Sequence, residues 1–389
     1  MKSDKAKGPK RLKKPNIAVR ILALAVTSAL VLGALALVVY RDTFNLDTVK
    51  RWLTSRGPAA VNTAPFTHAG GDKLSVACLD SGVVTVSTAG AHYYSLDGAP
   101  LADEVLSMEN PVLASSRTTA VAYDAGNQDL FVFRNEEETF HLILEGSNDL
   151  LSARVNDSGW LAVTAQQSRH KGAVTVYDSR GEEVIEIGLT TAFAVDAAVS
   201  PDRKTVAVAT MGQEGGSSYS RLLFFPVNQQ QPSAQVDLGS LAVLDLDYED
   251  DVLWVLGEDR LITVTPDGET VQTCVFSPSY LKGCSLGGDG FALLLTGRYR
   301  SGSADQALII DANAQAVHVM SLSSQILDYA AKGDYCGLLS GSRLVLCNSS
   351  LEQYGVLADL QAARRLDLTP SGSALLANSQ QAWLYVPQA

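Results

Sequence analysis

From residue 68 onward, short apolar runs separated by glycine, aspartate, asparagine, serine or proline recur with a period of about 40 residues. Each period holds four such runs, and the units begin near residues 72, 110, 150, 192, 241, 280, 325 and 362. The turns between first and second runs share one chemistry: Asn156-Asp157-Ser158-Gly159 ahead of WLAVTA, Ser200-Pro201-Asp202-Arg203 ahead of TVAVAT, and Thr369-Pro370-Ser371-Gly372 ahead of ALLAN. The third runs align as AVTVYDSRGE, RLLFFPVN, RLITVTPDGE, ALIIDANAQ and RLVLCNSS. Most are followed by a fourth, such as VIEIGL, TVQTCVF and AVHVMSL. Runs of this length bounded by turn residues are β-strands, and four strands in about 40 residues is the spacing of a propeller blade. The expected fold is all-β: a β-propeller of eight blades, or of seven if the irregular first unit is not one. Strands this dense, with almost no helical periodicity, exclude an α/β enzyme fold. The last unit stops after its third run, Trp383-Leu384-Tyr385-Val386. Residues from about Ala59 to His68 are expected to supply its outer strand, closing the ring and removing its edges.

A segment of different character precedes the repeats. Ile21 to Tyr40, ILALAVTSALVLGALALVVY, carries no charge, and twenty helical residues reach about 30 Å, the thickness of a bilayer's hydrocarbon core. Before it lie Lys2, Lys5, Lys7, Lys10, Arg11, Lys13, Lys14 and Arg20, against one acid, Asp4. The positive-inside rule keeps such a tail cytoplasmic and exports the chain beyond Tyr40. A cleaved signal peptide is the competing reading, but its small-x-small site, Ala34-Leu35-Ala36, lies inside the apolar run, so an uncleaved anchor is favoured. Asn45 is placed to cap a short helix that Gly57-Pro58 ends, with Leu46, Val49, Trp52 and Leu53 on one face. The expected organisation is a basic cytoplasmic tail over 1–20, a transmembrane helix over 21–40, a juxtamembrane stem helix over 41–58 and a β-propeller over 59–389. This places a single-pass protein in the cell membrane, its C-terminal domain extracytoplasmic.

The tail is +7 and the whole chain −12, which leaves −19 on the remainder. That charge repels nucleic acid and anionic surfaces, so no nucleic-acid partner is expected. Five scattered cysteines are not a disulfide framework, and without a CxxC there is no zinc or redox motif. In CGLLSGSRLVLC a two-residue turn at Gly341-Ser342 pairs Ser340 with Arg343, and counting outward sets Cys336 opposite Cys347 on one face. A cross-strand disulfide and a pair of buried thiols both fit that register.

The units SPDRKTVAVA, NDSGWLAVTA and TPDGETV resemble those of WD40-like and quinoprotein-like propellers. With the basic tail, the single anchor and the VTVYD and LLFFPVN strands, the chain from the anchor onward is similar to a family of membrane-anchored propeller proteins of Gram-positive bacteria. The resemblance implies the fold and brings no catalytic residues to carry over. Enzymes among quinoprotein-like propellers hold their cofactor with an adjacent-cysteine disulfide and a tryptophan floor. This chain has no Cys-Cys pair, so no cofactor is expected, and no metal.

Few motifs carry chemistry. Gly283-Cys284-Ser285-Leu286-Gly287 matches G-x-S-x-G but leads into another strand, FALLL, where a nucleophile elbow needs a helix. The acidic run Asp245 to Asp251 lacks the glycine and the terminal glutamate of a calcium loop and reads as a solvated turn. His68, His92, His141, His170 and His318 fall in different units and read as surface or strand residues. Three connections between second and third strands are extended: 166–172, 212–220 and 297–304. They carry the candidate binding residues Arg169, His170, Lys171, Tyr219, Arg298, Tyr299 and Arg300, on loops expected to share one rim. No residue is assigned to catalysis. The expected function is a membrane-tethered, non-enzymatic scaffold that binds a protein or a wall component. The alternatives are a propeller enzyme acting on glycans or lactones, needing converging carboxylates in the central channel, and a ligand sensor with a membrane partner.

Overall fold

Second strands such as Gly82–Ser87 and Phe291–Gly297 are buried at every position, whereas the fourth strand Glu137–Ile143 alternates exposed and half-buried side chains. A strand covered on both faces reads as a continuous apolar run, and one at the periphery alternates. Stacking such sheets face to face around an axis satisfies both patterns. The computed structural model describes residues 61–387 except Ser147 and Gln361; the expected tail, anchor and stem lie outside the described residues.

Eight antiparallel sheets follow one another in chain order. Their innermost strands are Ser75–Leu79, Pro111–Ser115, Leu150–Val155, Phe193–Val199, Val243–Glu249, Tyr280–Gly288, Ile326–Lys332 and Arg365–Leu368, numbered here as blades 1 to 8. Each begins within three residues of its expected position. The inner strands neighbour one another around the ring, and that of blade 1 meets that of blade 8. The core is likewise divided into eight buried clusters, each made by two consecutive blades. Between blades 1 and 2, for example, the buried rings of Tyr93 and Phe133 meet edge-on with centroids 6.1 Å apart. Burying one such side chain stabilises by about 1.5–3 kcal/mol, so each interface is a substantial fraction of the whole stability.

The repeated turn chemistry acts as local capping. Asn156 Oδ1 accepts the Trp160 N–H at 3.0 Å, Ser200 Oγ the Thr205 N–H at 3.0 Å and Thr369 Oγ1 the Ser373 N–H at 2.9 Å. Each side chain replaces a backbone partner and sharpens the reversal into the second strand.

Closure takes the expected route. Val61–Asn62 and Phe66–Thr67 both pair with Gln381–Val386, the third strand of blade 8. Between them the Thr63 N–H donates to Leu384 O at 2.9 Å, and Thr63 Oγ1 accepts the Leu384 N–H at 2.9 Å. Phe66 also leans on Tyr94 of blade 1, centroids 5.4 Å apart. It lies directly against Gly98, whose φ of +87° and missing side chain admit the ring.

One connection differs from its sequence reading. Residues 212–220 are not a loop: Thr205–Glu214 and Ser217–Pro226 remain paired out to Glu214 opposite Ser217, and Gly215-Gly216 is the tight turn of the hairpin. Alternating serine, tyrosine and glutamine side chains suit a solvated two-stranded ribbon as well as they suit a loop.

Candidate functional site

The inner strands bring charged side chains together at the ring's centre. Arg154 of blade 3 donates from Nε to Asp196 of blade 4 at 2.7 Å, from Nη2 to Asp245 of blade 5 at 2.5 Å, and from Nη1 to Leu246 O at 2.7 Å. Ser152 donates to the same Asp196 carboxylate. One guanidinium thus ties three consecutive blades. Burial opposes its charge, but Asp196 and Asp245 outweigh that and raise its pKa further above the usual range. Across the ring, Lys332 of blade 7 donates to Asp367 of blade 8 at 3.0 Å and to Cys78 O of blade 1 at 2.7 Å, while Asp367 accepts the Cys78 N–H at 2.6 Å. The second cation therefore repeats the device, reaching past one blade to a third.

The acidic run read as a solvated turn is mostly this inner strand. Asp245, Asp247 and Glu249 lie within Val243–Glu249, and the turn holds Asp250 and Asp251. The signal was the alternation Asp-Leu-Asp-Tyr-Glu, acids at every second position with Leu246 buried between them. Burial, with neighbouring Asp245 adding to it, raises the Asp247 carboxyl to about 7. Burial and the charge of Asp247 raise Glu249 to about 8, although Glu249 accepts the Gly290 N–H at 2.9 Å.

The G-x-S-x-G segment lies in Tyr280–Gly288, the inner strand of blade 6. Ser285 Oγ accepts the Ala331 N–H of blade 7 at 3.0 Å, and burial lifts the Cys284 thiol far above its ordinary range. Both residues serve the blade interface. His92 is a strand residue, within Gly90–Tyr94, and its Nδ1 meets Asp103, whereas His68 is neither on the surface nor in a strand: it is buried, its Nε2 2.9 Å from Asn378 O. Among the described residues no group of three or more His, Cys, Asp or Glu side chains could hold a metal ion. Cys336 and Cys347 are direct cross-strand partners, both free and fully buried.

Because strands alternate in direction, the second-to-third and fourth-to-first connections of all blades emerge on one face, the upper face. Arg169, His170 and Lys171 are there on blade 3, Tyr219 on the hairpin of blade 4, and Arg298, Tyr299 and Arg300 on blade 6. The structure brings the first four together on adjacent blades. It separates them from the last three by blade 5, whose turn carries Glu258 and Asp259. Lys171 Nζ donates to Thr191 O at 3.0 Å and lies 5.2 Å from the centroid of Phe193. Tyr219 stacks on the Arg221 guanidinium at 4.0 Å, and Arg221 pairs with Glu214. Arg298 sits 3.5 Å from Asp305, and Tyr299 is 75% exposed. Exposed apolar residues that sequence reasoning missed lie on the same face: Leu151, Phe193, Met211, Leu244 and Tyr280, with Phe193 at 52% and Leu244 at 54%. Four of them head inner strands, where periodicity alone predicts burial.

Among solved structures, the C-terminal WD40 domain of Sif2 is similar with a TM-score of 0.58 at 10% identity, covering 85% of this chain and 99% of that one. The computationally designed Ika8 protein gives 0.58 at 12%, covering 82% and 98%. BamB from Moraxella catarrhalis gives 0.47 at 12%, covering 84% and 98%. At these identities the likeness to the first two is one of fold, the closed propeller. No curated protein matches the chain in sequence. A family model does match it over residues 60–265, more than half its length, and the chain belongs to that family, the family of unknown function DUF5711.

Proposed function

We propose that this chain is a membrane-tethered, extracytoplasmic scaffold that holds a protein partner on the upper face of blades 3 to 6. The observation that carries the reading is the combination found there: Phe193, Leu244, Tyr280 and Tyr299 exposed beside Arg169, Lys171, Arg298 and Arg300. Aromatic residues and arginine are the types that anchor interfaces, and exposed apolar side chains gathered on one rim mark contact sites. The partner is a protein, or a component bound to the wall, that presents acidic and apolar groups together. The anchor over 21–40 and the basic tail before it supply the tether and its orientation.

The test is cross-linking in intact cells, comparing wild type with Arg298→Ala/Tyr299→Ala/Arg300→Ala and with Phe193→Ser/Leu244→Ser. Both variants should keep their melting temperatures and lose the cross-linked partner, with the arginine effect strongest at low ionic strength. Undiminished cross-linking in both defeats the reading. An enzymatic reading has one observation in its favour, the carboxyls of Asp247 and Glu249 on the inner strand of blade 5, raised by burial to about 7 and about 8. It is tested by turnover of glycan or lactone substrates, abolished in Glu249→Gln.

A further inference from the structure

The outer strands of the blades are unpaired on their far side, and edges of that kind are normally guarded by charge, shortness or cover. Six of the eight are guarded here. Pro100–Glu104 carries Asp103 and Glu104, Glu137–Ile143 carries Glu137 and Glu138, and Glu183–Leu189 carries Glu183 and Glu186. Ala234–Asp237 is only four residues long. On blade 7, Tyr385 Oη donates to Val356 O in Gln353–Ala358, and Pro387 covers Gly355. Blade 8 is closed by the two-residue strands Val61–Asn62 and Phe66–Thr67.

Thr270–Val275 of blade 5 (TVQTCV) and Ala316–Ser321 of blade 6 (AVHVMS) have neither charge, shortness nor cover, and are interrupted by a single β-bulge each, at Val271 and Val317. Neither contains Asp, Glu, Lys, Arg or Pro, each is six residues long, and they are neighbours. Among the described residues the side-chain hydrogen bond that reaches either strand is that of the Cys274 thiol with the Ala316 backbone. Val271, Val275, Val317 and Val319 are 46%, 56%, 44% and 56% exposed. The register shows which way they turn. Val319 pairs with Leu308 and Ala316 with Ile310, both packed into the core shared by blades 5 and 6, so Val319 and Ala316 face blade 5, with Val317 the bulged residue between them. Cys274 pairs with Leu261 of that core and faces blade 6, its thiol against the Ala316 backbone. The two outer strands therefore form the walls of an open wedge lined by Gln272, Cys274, Ala316 and Val319. At its lower end the turns over 265–269 and 312–315 bring Asp267, Glu269 and Asp311, none of which meets a cation among the described residues.

We infer that Ala316–Ser321 is an edge for strand addition, and that the wedge between blades 5 and 6 receives alternate side chains of an extended segment from another polypeptide. That segment has an uncharged, β-branched centre of about five residues and a basic residue at the end beside Asp267, Glu269 and Asp311. Main-chain hydrogen bonds to the free edge fix its register, the wedge between Cys274 and Val319 takes every second side chain, and the carboxylates select the basic end. A second copy of this chain is the poorer occupant, because −19 on each copy opposes approach. This surface is separate from the upper-face site and stands or falls without it.

The probe is a fluorescent, end-capped peptide, Lys-Thr-Val-Thr-Val-Thr-Lys, titrated by anisotropy against the full chain in detergent, with empty micelles as blank. Saturable binding is expected, weakened at least tenfold by Val319→Lys and by replacing both peptide lysines with glutamate. N-methylation of the amides on one edge of the peptide should abolish binding, while methylation of the alternate amides leaves it within twofold. In the unaltered chain the bound peptide should also slow maleimide labelling of Cys274, a readout that does not depend on any variant folding. The variant Arg298→Ala/Tyr299→Ala/Arg300→Ala should bind the peptide normally, which separates this site from the upper face. Absence of saturable binding at millimolar peptide overturns the inference, as does equal tolerance of both methylation patterns. A sedimenting dimer that Val319→Lys dissolves also overturns it, by giving the edge to a second copy.

Discussion

Replacing Arg154 with methionine keeps much of the side chain's bulk and removes the cation shared by blades 3, 4 and 5. Three donated hydrogen bonds disappear, two of them to the carboxylates of Asp196 and Asp245, whose side chains are 10% and 31% exposed. Removing one partner of a buried ion pair costs about 3–5 kcal/mol, because the other charge stays behind uncompensated. Arg154 itself is 30% open to water, so the lower end applies, about 3 kcal/mol. Spread over the unfolding entropy of a ring this size, about 0.7 kcal/mol per kelvin, that lowers the melting temperature by about 4–5 °C. Denaturant unfolding followed by tryptophan fluorescence measures the deficit, with calorimetry for the melting shift. A deficit below about 1 kcal/mol refutes the account of Arg154 as the tie between three blades.

Phe66→Ala should cost about 3 kcal/mol by emptying the space between the closing strand, Tyr94 and Gly98, and deleting residues 59–68 should leave the domain insoluble or loosely folded; a deletion that melts like wild type would contradict closure by the N-terminal strands. Asp247 and Glu249 have folded pKa values, about 7 and about 8, above their unfolded ones. Their contribution is therefore full below pH 4 and lost as pH rises through 7 to 8, a change of at most about 4–5 kcal/mol for each carboxyl that Asp247→Asn/Glu249→Gln should flatten in pH-dependent denaturation. In native thiol labelling at pH 8, Cys274 should react first, while Cys78, pushed up to about 12 by burial, and the buried Cys336 and Cys347 should wait for unfolding; prompt labelling of Cys78 would count against its place in the core between blades 8 and 1.

Features set by local periodicity were legible in the sequence. Asn156, Ser200 and Thr369 cap their turns with their own side chains, so the motif and the structure are nearly the same statement. The strand from Phe66 to Thr67 is legible because the eighth unit shows three apolar runs where the others show four. What escaped depends on closure. Arg154 meets Asp196 and Asp245 across 42 and 91 residues, and no local pattern reports that. Asp245, Asp247 and Glu249 are dense in charge and so resemble a turn, when their alternation with Leu246 and Tyr248 is the better guide. The exposed Phe193 and Leu244 escaped for the opposite reason: they sit in phase with the core in the sequence, and β-bulges between Ala194 and Asp196 and between Val243 and Asp245 shift that phase. Between Gly212 and Ser220, serine and glycine signal solvent, and solvent is compatible with a ribbon as well as a loop.

The clasp at Thr63 and Leu384 also imposes an order of events in time. Its partners are 321 residues apart, and at about 5–20 residues per second the later one is synthesised roughly 15–60 s after the earlier. For that interval Phe66 and its neighbours are a nascent strand with nothing to join, while seven blades accumulate behind them. The ring becomes a ring only when the final strand arrives, so whatever shelters residues 61–67 during synthesis governs the yield of the finished protein.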